Sequence, residues 1–236
     1  MTFPGNQKVT MSEHHTDKTP AQRSNVTARW RVCLFGLGSL LSASCLADGA
    51  ALATAGAGAA PACQTCHGMA GEGIAQAGFP RLAGLGAPYM QRQLAAFADG
   101  TRVSDVMMPI AKALSAAQRA EVSAHYASLP VPASPPAAAP AAVSVGSVLA
   151  TRGRWADQLP ACEQCHGPGG RGVGPDFPPL AGQGATYLAN QLKAWQGGTR
   201  PPGPMGLMAV VAKKLTEAEV LAIADHYAAL PAKDAP

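Results

Sequence analysis

Two pentapeptides, Cys63-Gln64-Thr65-Cys66-His67 and Cys162-Glu163-Gln164-Cys165-His166, stand nearly one hundred residues apart, each preceded by Pro-Ala and followed by Gly. On a turn of helix, residues three and four apart share a face, so both thiols and the following imidazole reach one side of the turn. C-x-x-C-H is the pattern of covalent haem attachment. In that chemistry the cysteines add to the two vinyl groups and the histidine becomes the proximal iron ligand. Cys63, Cys66, Cys162 and Cys165 are therefore candidate attachment points, and His67 and His166 candidate axial ligands, for two haem c groups per chain.

Three other uses of paired cysteines fit less well. Zinc motifs place a second ligand pair a dozen or more residues away, whereas here each histidine abuts its cysteines. A thioredoxin-like pair needs a βαβ setting, and no strand-like run flanks either copy. A structural disulfide is the third alternative, and duplication of the whole pentapeptide weakens all three, since a lone motif carries more false-positive risk than a repeated one.

The repetition extends beyond the pentapeptides. Phe79-Pro80-Arg81-Leu82-Ala83-Gly84 answers Phe177-Pro178-Pro179-Leu180-Ala181-Gly182, and Tyr89 with Gln93-Leu94 answers Tyr187 with Gln191-Leu192. Thr101-Arg102 answers Thr199-Arg200. Ser115 to Gln118 and Thr216 to Glu219 are capping-box patterns. Each predicts a helix through His125-Tyr126 or His226-Tyr227 that stops at Leu129-Pro130 or Leu230-Pro231. The chain thus reads as an all-α protein built from a duplicated module. Aromatic residues are only 5% of it, so a large flat cofactor filling each module would supply the core volume that its side chains lack.

The boundaries follow from composition. Residues 1–47 read as a polar extension and then a leader, with Arg29 and Arg31 ahead of an apolar run from Val32 to Leu46 and small residues suited to cleavage. Export to the periplasm is expected, and a leader left uncleaved would serve as a membrane anchor. Residues 48–130 form the first module, 131–145 a Pro/Ala linker and 146–236 the second. The glycines of the Ala53–Ala60 stretch make a poor first helix, and the linker looks long for a fixed contact between the halves. The formal charge is +4, but the first 47 residues hold five basic and two acidic side chains, leaving 13 basic and 12 acidic. Four haem propionates would turn that remainder negative, which argues against a nucleic-acid partner.

The sixth iron position decides between electron transfer and catalysis. Counting back from the closing helix gives a shared frame, M-x-x-x-A-x-x-L, with Met107, Ala111 and Leu114 in one half and Met208, Ala212 and Leu215 in the other. Met107 and Met208 are the candidate ligands, placed in loops rich in Pro and Gly, with Met108 and Met205 as rivals. His125 and His226 are weaker candidates because each lies within a helix. A thioether favours ferrous iron, and a filled sixth position leaves no open site for a substrate. The chain is therefore expected to be an electron-transfer protein and not an enzyme.

From Ala47 to Leu230 these motifs resemble the cytochrome c4 family. The resemblance implies two class I cytochrome c folds, each around one covalently bound haem, packed about a pseudo-two-fold axis. It implies propionates facing across the interface, with Arg102, Arg200, Tyr89 and Tyr187 near them. It also implies a periplasmic carrier taking electrons from a quinol-oxidising complex to a terminal oxidase or reductase. The alternatives are a cytochrome subunit of a sulfide- or thiosulfate-oxidising dehydrogenase and, less well supported, a dihaem peroxidase.

Overall fold

The computed structural model describes residues 48–132 and 143–232. The extension and leader, and most of the Pro/Ala linker, lie outside the described residues. Among the described residues there are helices and isolated bridges but no strand.

Each half has the same five helices: α1 (Gly49–Ala55), α2 (Gln64–His67), α3 (Ala87–Asp99), α4 (Met107–Ala113) and α5 (Ala116–Ser128), then α6 (Val145–Thr151), α7 (Glu163–His166), α8 (Ala185–Gln196), α9 (Leu207–Lys213) and α10 (Glu217–Ala229). The expected closing helices are α5 and α10. Both capping boxes are complete: Ser115 and Thr216 accept from the third helical N–H, and Gln118 and Glu219 return a side-chain oxygen to the cap. Leu129 and Leu230 end these helices in extended conformation, as the following prolines require.

The first helix forms despite its glycines. Asp48 caps α1, which ends at Ala55 because Gly56 takes a φ of 73°, so the glycines lie beyond the helix and not inside it. The second half begins earlier than composition suggested. Ser144 caps α6 in a capping box with Ser147, and Val145 is its first residue. Val131, at the linker's other end, packs over Gly84. The polar serine that looked like linker is a cap, a use that composition alone does not distinguish.

Each half has its own core. In the first, Leu52, Ala53, Leu85, Met90, Leu114, Val122 and Tyr126 are buried together. In the second, Leu149, Ala150, Leu192, Leu215, Val220, Ile223 and Tyr227 do the same. The opening helix lies on the closing helix in both halves, with glycine at the crossing: Gly49 against Glu121 and Gly146 against Ala222.

At the second crossing His226 is 9% exposed, and neither ring nitrogen has a hydrogen-bond partner among the described residues. Burial pushes its pKa below the ordinary 6.5, only partly offset by the negative field of Glu163. The native ring thus refuses a proton that the unfolded chain accepts, and stability falls as pH drops below about 6.5. His226→Gln is expected to flatten melting temperature against pH between about pH 5 and 7; an unchanged slope would assign the effect to other groups.

Candidate functional site

A short helix and a glycine position each histidine. His67 ends α2 and His166 ends α7, and Gly68 and Gly167 turn the chain away at φ of 83° and 76°. Those are left-handed values that glycine adopts without steric cost. His67 is 7% exposed and His166 6%. His67 donates from Nδ1 to the Pro80 carbonyl at 2.9 Å, and His166 to the Pro178 carbonyl at 2.8 Å. A carbonyl oxygen only accepts, so the proton sits on Nδ1 and the Nε2 lone pair is left for a metal. Burial holds both rings below the usual histidine pKa, which keeps them neutral and able to ligate. The two F-P-x-L-A-G segments thereby acquire a role: their prolines supply the orienting carbonyls.

Each histidine opens into a cavity. The first, about 430 Å³, is lined by Cys63, Cys66, His67, Met107 and Tyr126 among mostly apolar neighbours. The second, about 210 Å³, is lined by Cys162, Cys165, His166, Met208, Trp195 and Tyr227. Met108 and Met205 line neither, and Met205 is 80% exposed. Met107 and Met208 lie on the first turns of α4 and α9 and not in loops. Pro109 is tolerated there because first-turn N–H groups have no helical partner. The helical start places Met107, Ala111 and Leu114 on one face, Ala111 and Leu114 being buried, which is why the M-x-x-x-A-x-x-L spacing recurs. His125 and His226 line neither cavity.

Burial pushes Cys63 and Cys162 above the ordinary thiol value, the opposite direction from a thiol activated as a nucleophile.

The two cavities share a wall made of Leu85, Tyr89, Gln93, Tyr187, Gln191 and Arg200. Two buried guanidiniums knit it together. Arg102 donates to Gln93 at 2.8 Å, Gln191 at 2.6 Å and the Tyr187 hydroxyl at 3.2 Å. Arg200 donates to the Tyr89 hydroxyl at 3.0 Å and Gln93 at 3.2 Å. Arg102 stacks on Phe97 and Arg200 on Trp195, at 4.4 and 3.9 Å. Burial raises the Tyr89 pKa. It acts on Tyr187 likewise, but the two guanidiniums outweigh it and hold that phenol below its ordinary value. Bonds across the wall, with a backbone bond from Val103 to Thr199 at 3.0 Å and an ion pair of Arg92 with Asp176 at 3.0 Å, fix the halves together despite the long linker.

Among the described residues no carboxylate pairs with Arg102 or Arg200. Two buried cations facing two cavities without an anion would be costly, and the carboxylates of a haem would supply the anionic charge they lack. The donor set of each cavity, two thiols, a neutral imidazole and a thioether, fits haem c in the same way.

The wall's arginines and tyrosines were visible in the sequence only through the repeat. Gln183, buried between the halves, carries no repeat signal, because its counterpart in the first half is Leu85.

Residues 46–129 match the family model for cytochrome c. The chain is 46% identical over 191 residues to a thiosulfate dehydrogenase electron acceptor of Stutzerimonas stutzeri, spanning 80% of this chain and 88% of that one. It is 48% identical over 174 residues to a protein of the same name from Thiomonas intermedia, at 73% and 80% coverage. Cytochrome c4 of Pseudomonas aeruginosa is 37% identical over 187 residues, covering 78% of this chain and 92% of the relative. Among solved structures, reduced cytochrome c4 from Pseudomonas stutzeri superposes with a TM-score of 0.65 at 30% identity, over 71% of this chain and 93% of that one. The thiosulfate dehydrogenase TsdBA of Marichromatium purpuratum gives a TM-score of 0.71 at 42% identity over 78% of this chain, but this chain spans only 40% of it. With two helical modules, two histidine-lined cavities and these relatives, the chain belongs to the cytochrome c4 family of c-type cytochromes.

Proposed function

We propose that this chain is a dihaem electron carrier of the periplasm that accepts electrons from a thiosulfate-oxidising dehydrogenase. Cys63 and Cys66 tether one haem and Cys162 and Cys165 the other. His67 with Met107, and His166 with Met208, are the axial pairs. The observation that carries this reading is the shared wall, which sets two cavities with the same ligand set back to back. Each haem, when bound, supplies a one-electron couple. The chain's part is to hold both in fixed orientation with buried guanidiniums and tyrosines whose dipoles need not reorganise.

The donor is argued from similarity. The relatives named thiosulfate dehydrogenase electron acceptor are 46–48% identical, against 37% for the Pseudomonas aeruginosa cytochrome c4. That favours a dehydrogenase donor over the quinol-oxidising complex expected at first. The expected downstream acceptor is a terminal oxidase or reductase.

Purified protein mixed with a thiosulfate dehydrogenase and thiosulfate should show both haems reduced in stopped-flow absorbance, at a rate set by enzyme concentration. No reduction there, with rapid reduction by a quinol-oxidising complex, would return the donor to the quinol route. A high-spin haem with peroxide turnover would instead select the peroxidase reading.

A further inference from the structure

We propose that Gln183, a residue of the second half, is a positioning residue for the histidine of the first, acting through one peptide group; this rests on His67 being an iron ligand. The Pro80 carbonyl that accepts from His67 Nδ1 at 2.9 Å belongs to the peptide whose N–H is that of Arg81. That N–H donates to Gln183 Oε1 at 2.8 Å. Because the peptide is planar and trans, its C=O and N–H point in opposite directions. The line from Gln183 through the peptide to the imidazole is therefore a continuous hydrogen-bonded chain.

The Gln183 amide is fixed in this role. Its Nε2 donates to the Arg81 carbonyl at 3.1 Å, and its Oε1 also accepts from the Gly184 N–H at 3.1 Å. With Gln183 3% exposed, the network permits only one assignment of its amide oxygen and nitrogen. Donation at one end of a peptide polarises the carbonyl at the other, strengthening its bond by roughly 10–30%. A stronger bond to Nδ1–H makes the imidazole a richer electron donor, and that favours ferric iron.

The second half has no such device. His166 donates to Pro178, and the next residue is Pro179, whose nitrogen carries no hydrogen. Where the second half has Gln183 the first has Leu85, which accepts nothing. The two iron ligands, alike in sequence motif, are thus tuned differently, and the tuning of the first requires contact with the second half.

The experiment uses the full dihaem protein and two variants that cut the chain from opposite ends: Gln183→Leu, copying Leu85, and Arg81→Pro, copying Pro179. In the reduced protein, ¹⁵N-resolved NMR of the ring Nδ1–H groups should show the His67 resonance moving upfield in both variants while that of His166 stays. Spectroelectrochemistry should show the first haem's ferrous-to-ferric ratio at a fixed poise rising about threefold. That is roughly 30 mV, at 59 mV per tenfold for a one-electron couple. Arg92→Ala loosens a different contact between the halves and should move neither signal. An unmoved His67 resonance, or an equal shift in Arg92→Ala, overturns the proposal. A spectrum in which His67 is not an iron-bound imidazole overturns the ligation reading beneath it, and is recognised because the parent protein already shows it.

Discussion

A chain carrying Cys162→Ala and Cys165→Ala is expected to hold half the covalent haem of the parent and to lose cooperative folding of its second half. The reason is volume. The second core packs around Cys162, and the cavity beside it measures about 210 Å³. At about 24 cal/mol per Å³, an unfilled space of that size costs on the order of 5 kcal/mol. A domain's whole stability is only about 5–15 kcal/mol. Mass spectrometry of the intact chain would read the haem loss directly, and a calorimetric trace would show the second half melting at a lower temperature or not at all. Retention of two covalent haems would end the attachment reading, and an unchanged melt would end the argument that the cofactor is part of the core.

Gly146→Ala should be nearly as damaging, although the change adds one methyl group to a helix. A Cβ there would lie 2.1 Å from the Ala222 carbonyl oxygen and 2.7 Å from its carbon. Those are backbone atoms that cannot rotate away, so α6 must move off α10. Overpacking of this kind costs about 1–3 kcal/mol, occasionally more, and the helix pair's rigidity puts this case at the upper end. A fall in melting temperature of about 10–20 °C follows for a domain of this size. Gly49→Ala faces the same geometry, 2.3 Å from the Glu121 oxygen, and should show a comparable loss in the first half. Gly86→Ala, with no described atom within 4 Å of its Cβ, serves as the control and should cost only the loss of a glycine N-cap on α3, about 0.5–1 kcal/mol. Equal losses at all three positions would mean that the close helix crossing is not the cause.

These glycines also mark where sequence reading stops. Gly56, with its turn-forming role, looked like the reason a first helix would fail, whereas the glycines that matter for packing, Gly49 and Gly146, carry no local mark in the sequence. A glycine at a crossing has no local signature, because the atom that excludes a side chain belongs to a residue far along the chain. The capping boxes at Ser115 and Thr216 were legible because both partners lie within four residues. Ser144 made the same box with Ser147, but the Pro/Ala composition around it concealed the helix start. Met107 and Met208 were picked out by their spacing from the next helix. Their place on the first turns of α4 and α9 was not legible because Pro109 and Gly206 read as loop.

The sequence alone determined which donor groups each half carries and that the set is duplicated, since thiols, imidazole and thioether are named by residue type and set by short helical spacings. Tertiary structure alone decided that the two cavities share a wall and that Arg102 and Arg200 are buried there with no carboxylate partner among the described residues. It also decided that Gln183 reaches the peptide holding His67. Those contacts join residues about a hundred positions apart, and they depend on the rigid placement of one half against the other. No local rule of spacing or propensity encodes that placement, because it results from the packing of two complete surfaces.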